Sequence, residues 1–256
     1  MEGDREHPRP VQTVETASTL LERIKERGGA TLPELTAELD LAKSTVHRHL
    51  GTLEELDFVV RDGDEYRVGL RMLDFGIHAR EQQDVFHEAT DTVDELAAET
   101  GEKVWLITHE HGRSVHLYGA TGKRSVRTPA REGEQGYLHQ LAAGKAILAT
   151  FPRERVERVV DEHGLPAATD RTITDTEPLF EELAAVRERG FAFNRGESIP
   201  RLNAVGAAIT DDEGEAVAAI SVSGPSNRVK GDFLTKELPD LLLGVTNEVE
   251  INLSYT

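Results

Sequence analysis

The chain has 256 residues, more than the roughly 100–200 that one domain needs, which predicts two domains with separate cores. It contains no cysteine, which excludes disulfides, thiol catalysis and thiolate zinc sites. The 47 acidic and 29 basic residues give a net charge of −18, which favours a halophilic protein over an ordinary acidic one. Because this charge repels nucleic acid, any DNA-binding surface must overcome it locally.

The N-terminal residues and the overall hydropathy carry no membrane signal. No stretch approaches the about 20 apolar residues that span a bilayer. Residues 1–12 are polar and charged where a signal peptide has an apolar segment, and they predict a flexible tail. A soluble, cytoplasmic protein without a membrane partner is expected.

Two helices are predicted next. Apolar residues recur at helical spacing from Val14 to Ile24, until Gly28 and Gly29 stop the pattern. Thr31 and Glu34 then have the spacing of a capping box, which predicts a second, short helix ending near Leu39.

A third helix and a hairpin complete this region. After a tight turn at residues 40–42, apolar residues follow an i, i+4, i+7, i+10 pattern at Val46, Leu50, Leu53 and Leu56. Two β-like runs, 58–61 and 66–68, flank Asp62, Gly63 and Asp64, a typical hairpin turn. Three helices followed by a hairpin predict a winged helix-turn-helix domain over residues 13–69.

The polar face of the third helix predicts a DNA-binding surface. In such a domain the second helix of the pair lies in the major groove and its N-terminal residues reach base edges and phosphates. The candidate contacts are Lys43, Ser44, Thr45, His47 and Arg48, with Arg61 and Arg67 in the wing. The alternative is a three-helix domain whose polar face is merely solvated. Because the N-terminal region is itself acidic, we expect base contacts to outweigh phosphate neutralisation.

The rest of the chain predicts a linker helix over 70–83 and an α+β domain over 84–256. A helix at 86–100 precedes paired strand patterns at 104–108, 115–119, 204–210 and 216–222. Helical stretches lie between or after them at 141–150, 154–162, 176–189 and 238–253.

Several segments, taken together and in order, are similar to one family. Leu41–Arg48 followed by Leu53–Leu56 resembles the recognition helix of the IclR family of transcription regulators. Leu138–Ala149, Arg189–Ala192, and Ala218–Pro225 with Arg228 resemble segments of that family's effector domain. The resemblance covers nearly the whole chain and implies a GAF-like effector-binding domain and a homodimer or tetramer on partly palindromic operators.

The resemblance also implies an effector site. Positions matching ligand contacts of related regulators are Ser125, Thr128, Ala142, Ala143, Asn194, Ala204, Ser221 and Ser223. The strand pattern independently places Ser221 and Ser223 on one face, where they can bind a carboxylate or hydroxyl group, or be satisfied by backbone. Trp105 either walls this pocket or belongs to the core.

The predicted effector is a small carboxylate, a sugar acid or keto acid from carbohydrate breakdown. Asn194, Ala204 and Ala142 depart from the residues most frequent in the family at these positions, so the family does not specify the ligand. An amide at Asn194 can donate as well as accept hydrogen bonds, which suits a polyol.

Two other classes are weighed against a regulator. Gly144 and Lys145 resemble part of a phosphate loop, but His139 stands where such a loop needs glycine, and no Gly-x-Ser-x-Gly motif is present, so no enzyme activity is predicted. A metal-sensing regulator would use His109 and His111, expected on one strand face, with His116. Solvated histidines are favoured there, and no metal or cofactor is predicted.

Overall fold

The first compact unit of the chain is three helices and a small sheet. The computed structural model describes residues 10–255, and these divide at Ala79 and Arg80 into two units. Most of the predicted tail, residues 1–9, lies outside the described residues. The elements of the first unit are α1 (Gln12–Arg27), β1 (Ala30–Thr31), α2 (Leu32–Leu39), α3 (Lys43–Glu55), β2 (Val59–Asp62) and β3 (Glu65–Val68).

Local sequence determines where these helices begin and end. Gly28 ends α1 in the left-handed conformation, with φ of 75°. The capping box opens α2, because the Thr31 amide donates to Glu34 Oε2 at 2.8 Å. Asp40, with φ of 48°, then turns the chain into α3 within three residues.

The core of this unit lies between the helices and the sheet. Its fully buried side chains include Leu20, Ile24, Leu35, Val46 and Leu50. The sheet has the order β1-β3-β2 and is antiparallel throughout. The β2–β3 hairpin is the predicted wing, whereas the two-residue β1 has no periodicity and was not predicted.

A helix with no buried side chain carries the chain from the first unit into the second. This helix, α4, spans Arg71–Glu81, inside the predicted linker 70–83. Its apolar side chains, together with the preceding Leu70, are exposed: Leu70, Met72, Leu73, Phe75 and Ile77. None of the residues of α4, all of which the structure describes, is buried within the chain.

The second unit is a sheet with helices on both faces. Its helices are α5 (Asp84–Thr100), α6 (Ala142–Thr150), α7 (Arg153–His163), α8 (Thr176–Arg189) and α9 (Leu238–Leu253). Its strands are β4 (Lys103–Glu110), β5 (Arg113–Thr121), β6 (Gln135–Tyr137), β7 (Ala192–Arg195), β8 (Leu202–Thr210) and β9 (Ala216–Pro225).

The sheet joins the two ends of this unit's sequence. Within residues 10–255 it has six antiparallel strands in the order β6-β5-β4-β9-β8-β7. One apolar cluster packs α5 and α9 on one face, and a second packs α6, α7 and α8 on the other. This α+β architecture confirms the predicted fold class, including its GAF-like character. In the described chain no helix is long and apolar enough to cross a membrane.

Candidate nucleic-acid interface and ligand cavity

The third helix separates a buried apolar side from an exposed polar side. Val46 and Leu50 are fully buried in the core of the first unit. Across the helix, Lys43, Ser44, His47 and Arg48 are exposed and Thr45 is half-buried. The structure therefore places the predicted α3 contacts together on one accessible face.

The charges on this face favour binding of an anion. The first turn of α3 has no acidic residue, and its N-cap, Ala42, offers no side-chain hydrogen bond to the free amides. Those amides carry the positive end of the helix dipole. Lys43 and Arg48 form no ion pair with any residue from 10 to 255. Both cations are available to a nucleic acid.

The two predicted wing arginines have acidic neighbours. Arg61 Nη2 lies 3.4 Å from Asp64 Oδ1, and its guanidinium lies over the Tyr66 ring. Arg67 donates to Glu65 Oε2 from Nε at 2.9 Å and from Nη2 at 2.6 Å, and this hydrogen bonding raises the pKa of Arg67. The wing is therefore internally neutralised, which sequence spacing did not reveal.

In the second unit, most of the predicted effector residues line one cavity. It has a volume of about 260 Å³ and lies between the sheet, the start of α6 and the loops before β6 and after β7. The predicted residues in its lining are Thr128, Ala142, Asn194, Ala204, Ser221 and Ser223, and Trp105 forms part of the wall.

Two predicted effector residues are elsewhere. Ala143 is fully buried and its backbone nitrogen packs against β8 at Gly206. Ser125 lies in the loop after β5, where its amide donates to Gly122 O at 3.1 Å. Neither Ala143 nor Ser125 belongs to the cavity lining as the described residues form it. Ala143 is outside the lining because consecutive helix residues point in different directions, so Ala142 faces the cavity and Ala143 faces the sheet.

Close backbone approaches shape the cavity. A Cβ at Gly206 would lie 2.5 Å from Ala143 N, so only glycine lets the start of α6 sit this close to the sheet. A Cβ at Gly119 would lie 2.3 Å from the Trp105 ring. That glycine makes room for the indole, which packs edge-on against His116 at 4.8 Å.

The polar groups of the lining differ in availability. The Ser221 hydroxyl makes no hydrogen bond to any described residue, and Ser223 Oγ has only a 3.4 Å contact with Lys103 O. The Asn194 amide is already engaged, because Nδ2 donates to Gln140 O at 2.6 Å and to Ser198 Oγ at 3.1 Å. Ser221 is therefore the freer donor, and Asn194 holds the wall in place.

Sequence reasoning missed other residues of the lining, among them His116 and Tyr137. Burial lowers the pKa of His116, against the opposing effect of its hydrogen bond to Glu134 O, so the ring is neutral at pH 7. No lysine or arginine belongs to the lining described here. A negative charge in the cavity would meet neutral donors and backbone amides, and Glu134 is the one acidic residue of the described lining.

A buried ion pair supports the cavity from behind. Lys145, on α6, is 1 % exposed and donates from Nζ to Glu197 Oε2 at 2.6 Å. Glu197 belongs to the loop after β7, and its amide donates to Asn194 Oδ1 at 2.9 Å. Lys145 thus ties α6 to the cavity wall, and its one signal in the sequence is a lysine within an otherwise apolar run.

The structure corrects the geometry expected for a metal site. β4 ends at Glu110, and His111 has φ of 49° in the following turn, so His109 and His111 do not share a strand face. The Nε2 atom of His109 contacts Ala216 O at 3.1 Å. Within residues 10–255, no cluster of three or more histidine or acidic side chains could hold a metal ion.

A winged helix-turn-helix followed by a GAF-like domain defines a two-domain transcription regulator. Residues 13–63 match the IclR helix-turn-helix domain, and residues 77–249 match the C-terminal domain of bacterial transcriptional regulator IclR. The chain therefore belongs to the IclR family of DNA-binding transcription regulators, which are not enzymes.

Individual relatives agree with this membership. Over 251 residues the chain is 34 % identical to the "Probable HTH-type transcriptional regulator ArcR" of Halobacterium salinarum, covering 96 % of this chain and 95 % of that protein. It is 31 % identical to the transcriptional repressor AllR of Escherichia coli K12, covering 86 % and 83 %. The crystal structure of Thermotoga maritima IclR is similar with a TM-score of 0.76 at 27 % identity, covering 94 % and 98 %.

Proposed function

We propose that the protein binds operator DNA as a homodimer or tetramer, and that a small carboxylate in the cavity changes its operator affinity. The effector is a sugar acid or keto acid of carbohydrate breakdown, and the protein acts in the cytoplasm at chromosomal DNA. The observation that carries the proposal is the exposed, unpaired polar face of α3 in one unit together with a partly open cavity in the other, whose mainly apolar lining holds a few polar groups.

The proposed DNA contacts divide by chemistry. Arg48 is exposed and unpaired on α3, and an arginine can donate two hydrogen bonds to guanine O6 and N7 in the major groove. Ser44 and Thr45, in the first turn with Lys43, suit phosphate oxygens beside the helix amides. Arg61 and Arg67 must exchange acidic neighbours for phosphates before the wing contributes.

The exposed apolar side chains of α4 support self-association. Leu70 is 84 % exposed, Leu73 59 % and Phe75 51 %, which is costly in water for a contiguous apolar segment. A second copy would cover them and would present two α3 helices to two half-sites about one helical turn apart.

The cavity chemistry supports a small acid with hydroxyl groups. Leu141 and Ala142, at the amino end of α6, belong to the lining, and no side chain caps that helix start. Its free amides and the Ser221 hydroxyl suit a carboxylate. Tyr137 and the neutral His116 suit hydroxyl or carbonyl groups.

Mapping the protein on its own genome and measuring duplex binding test the proposal. The enriched promoter fragments would be titrated with protein in the presence of pyruvate, gluconate and 2-oxoglutarate, with mass spectrometry to show that the acids are not consumed. We expect at least one acid to shift affinity, and Ser221→Ala to weaken that shift. Absence of any preferred fragment would refute operator binding; tight fragment binding unaffected by every acid would refute the proposed effector class.

A further inference from the structure

One wall of the cavity is a tight turn held by backbone hydrogen bonds. The amide of Glu134 donates to Arg131 O at 3.1 Å, and the Gly133 amide donates to His116 O at 2.8 Å. In return the His116 amide donates to Glu134 O at 3.1 Å. Both Glu134 and His116 line the cavity, so a displacement of this turn changes the cavity wall directly.

The other side of the same turn contacts the end of α4. Glu132 Oε2 accepts a hydrogen bond from Arg80 Nη1 at 2.8 Å. The Arg80 guanidinium lies over the Phe86 ring at 4.4 Å. Its side chain is 28 % exposed, and among the described residues Glu132 is the one carboxylate within ion-pair distance. Arg80 is thus held by a flat apolar surface and one acceptor.

We propose that the Arg80–Glu132 ion pair couples the cavity wall to α4, so that cavity occupancy and DNA binding influence each other through this pair. The inference rests on the proposed function. Arg80 and Glu132 are positioning residues: neither lines the cavity, and neither belongs to the α3 surface. The chain reaches the DNA-binding unit through α4, whose last turn contains Arg80.

Contiguous contacts become coupling only when both sites bias the same element. Here that element is the turn 131–134, which His116 contacts through its backbone and its ring on one side and Arg80 contacts on the other. Coupling is reciprocal, so DNA binding must alter the turn as much as cavity occupancy alters DNA affinity. The inference can therefore be tested before the effector is identified.

The experiment measures amide hydrogen exchange of the full-length protein with and without DNA. The probe is a duplex selected by the protein from a random 30-base-pair pool. We expect the exchange rates of residues 131–137 to change about threefold or more on DNA binding. A change of this size corresponds to the free energy that a partly exposed ion pair contributes. Glu132→Gln and Arg80→Glu should remove most of this change while each variant still binds the duplex.

Two further variants make the test specific. The charge swap Arg80→Glu with Glu132→Arg should restore the DNA-dependent change, which a general loosening of the structure would not do. Glu99→Gln, at an exposed glutamate of α5 with no ion pair among the described residues, is the matched control and should behave like the parent.

The outcomes separate the two proposals. If no duplex is selected, operator binding itself is wrong. If the parent binds its selected duplex tightly and residues 131–137 do not respond, or if Glu132→Gln and Arg80→Glu respond as the parent does, the coupling role of this ion pair is overturned.

Discussion

The two candidate sites hold their polar groups in opposite ways. On α3, Lys43 and Arg48 are exposed and have no partner among the described residues. Around the cavity, Asn194 is 2 % exposed and its amide is already hydrogen-bonded to the protein. The proposed DNA-binding surface is therefore a set of independent side chains, whereas the cavity wall around Asn194 is one hydrogen-bonded structure.

This difference teaches where a substitution should act. Removing an exposed, unpaired side chain removes an intermolecular contact and leaves the fold unchanged. Removing one member of a buried network leaves its partner unsatisfied and lowers the free energy of unfolding. Each prediction below tests one side of this contrast.

The largest effect is expected from Lys145→Met. The variant keeps the length of the side chain but leaves the carboxylate of Glu197 buried without its cation. Breaking a buried pair in this way costs about 3–5 kcal/mol. Urea unfolding followed by the fluorescence of Trp105, the single tryptophan, reports on the second unit and should show this loss.

A surface ion pair supplies the control for that prediction. Lys236 lies 3.2 Å from Asp232, and both side chains are about two-thirds exposed or more. Lys236→Met should cost no more than about 0.5 kcal/mol. Adding Glu197→Gln to Lys145→Met should recover part of the loss, because the unpaired charge is then gone. Equal midpoints for the parent and Lys145→Met would contradict a connected cavity.

The same contrast explains what the sequence could predict. Helix α3 and its polar face follow from a 3.6-residue period, a local property of residues 43–56. The capping box at Thr31 and the helix stop at Gly28 are equally local, and the structure has both. Predicting which α3 side chains are exposed needed no tertiary information beyond these signals.

The cavity depends on contacts between residues far apart in the chain. Strand β4 pairs with β9 more than 100 residues later, and no local pattern specifies that register. Glu197 supports the cavity wall from a loop, and His116 faces the cavity from β5, so neither position follows from local periodicity. Of the residues that the family resemblance predicts, Ser221 and Ser223 line the cavity, whereas Ala143 packs against the sheet because adjacent helix residues face different ways.

The second prediction concerns the DNA surface. Arg48→Ala should weaken binding to the selected duplex by about 1–3 kcal/mol and relax the preference for one base pair, because a bidentate contact to guanine is lost. Fluorescence anisotropy with duplexes substituted at each position measures both effects. Arg23→Ala is the control, since Arg23 is exposed on α1 and paired with Glu26. Unchanged affinity and selectivity in a folded Arg48→Ala variant would refute the assigned surface.

The third prediction is a loss of stability of the second unit in acid. Burial lowers the pKa of His109, His116 and His139 from 6.5. Near pH 7 and above, both folded and unfolded chains hold these rings neutral. As the pH decreases below 6.5, the unfolded chain binds protons before the folded chain does. The free energy of unfolding therefore decreases with decreasing pH, by at most about 1.4 kcal/mol per pH unit for each ring.

Thermal unfolding from pH 7.5 to 5.5 at constant salt measures this dependence, with Trp105 fluorescence as the probe. His116→Gln should make the melting temperature depend less steeply on pH, because one of the three contributing histidines is gone. His47 lies in the first unit, whereas Trp105 reports on the second, so His47→Gln is the control. A melting temperature that rises toward pH 5.5 would contradict the expected loss of stability in acid.

The smallest effect sharpens the comparison within the DNA surface itself. Because Arg48 is assigned to guanine, a dimer in which Lys43 is the phosphate-contacting cation of each copy should show a slope of log Kobs against log[salt] of about −2, whereas full use of Arg61 and Arg67 as well would give about −5. The acidic partners of the wing arginines favour the shallower slope. Glu65→Gln removes the nearer of the two carboxylates beside Arg67, leaving Asp62 Oδ2 3.8 Å from Nη1, and should steepen the slope by about 1 for each wing that then reaches a phosphate. Glu22→Gln, on the exposed surface of α1, should not. If the parent already shows the steeper slope, the wing arginines leave their acidic neighbours on binding, and Lys43 is not the main phosphate contact.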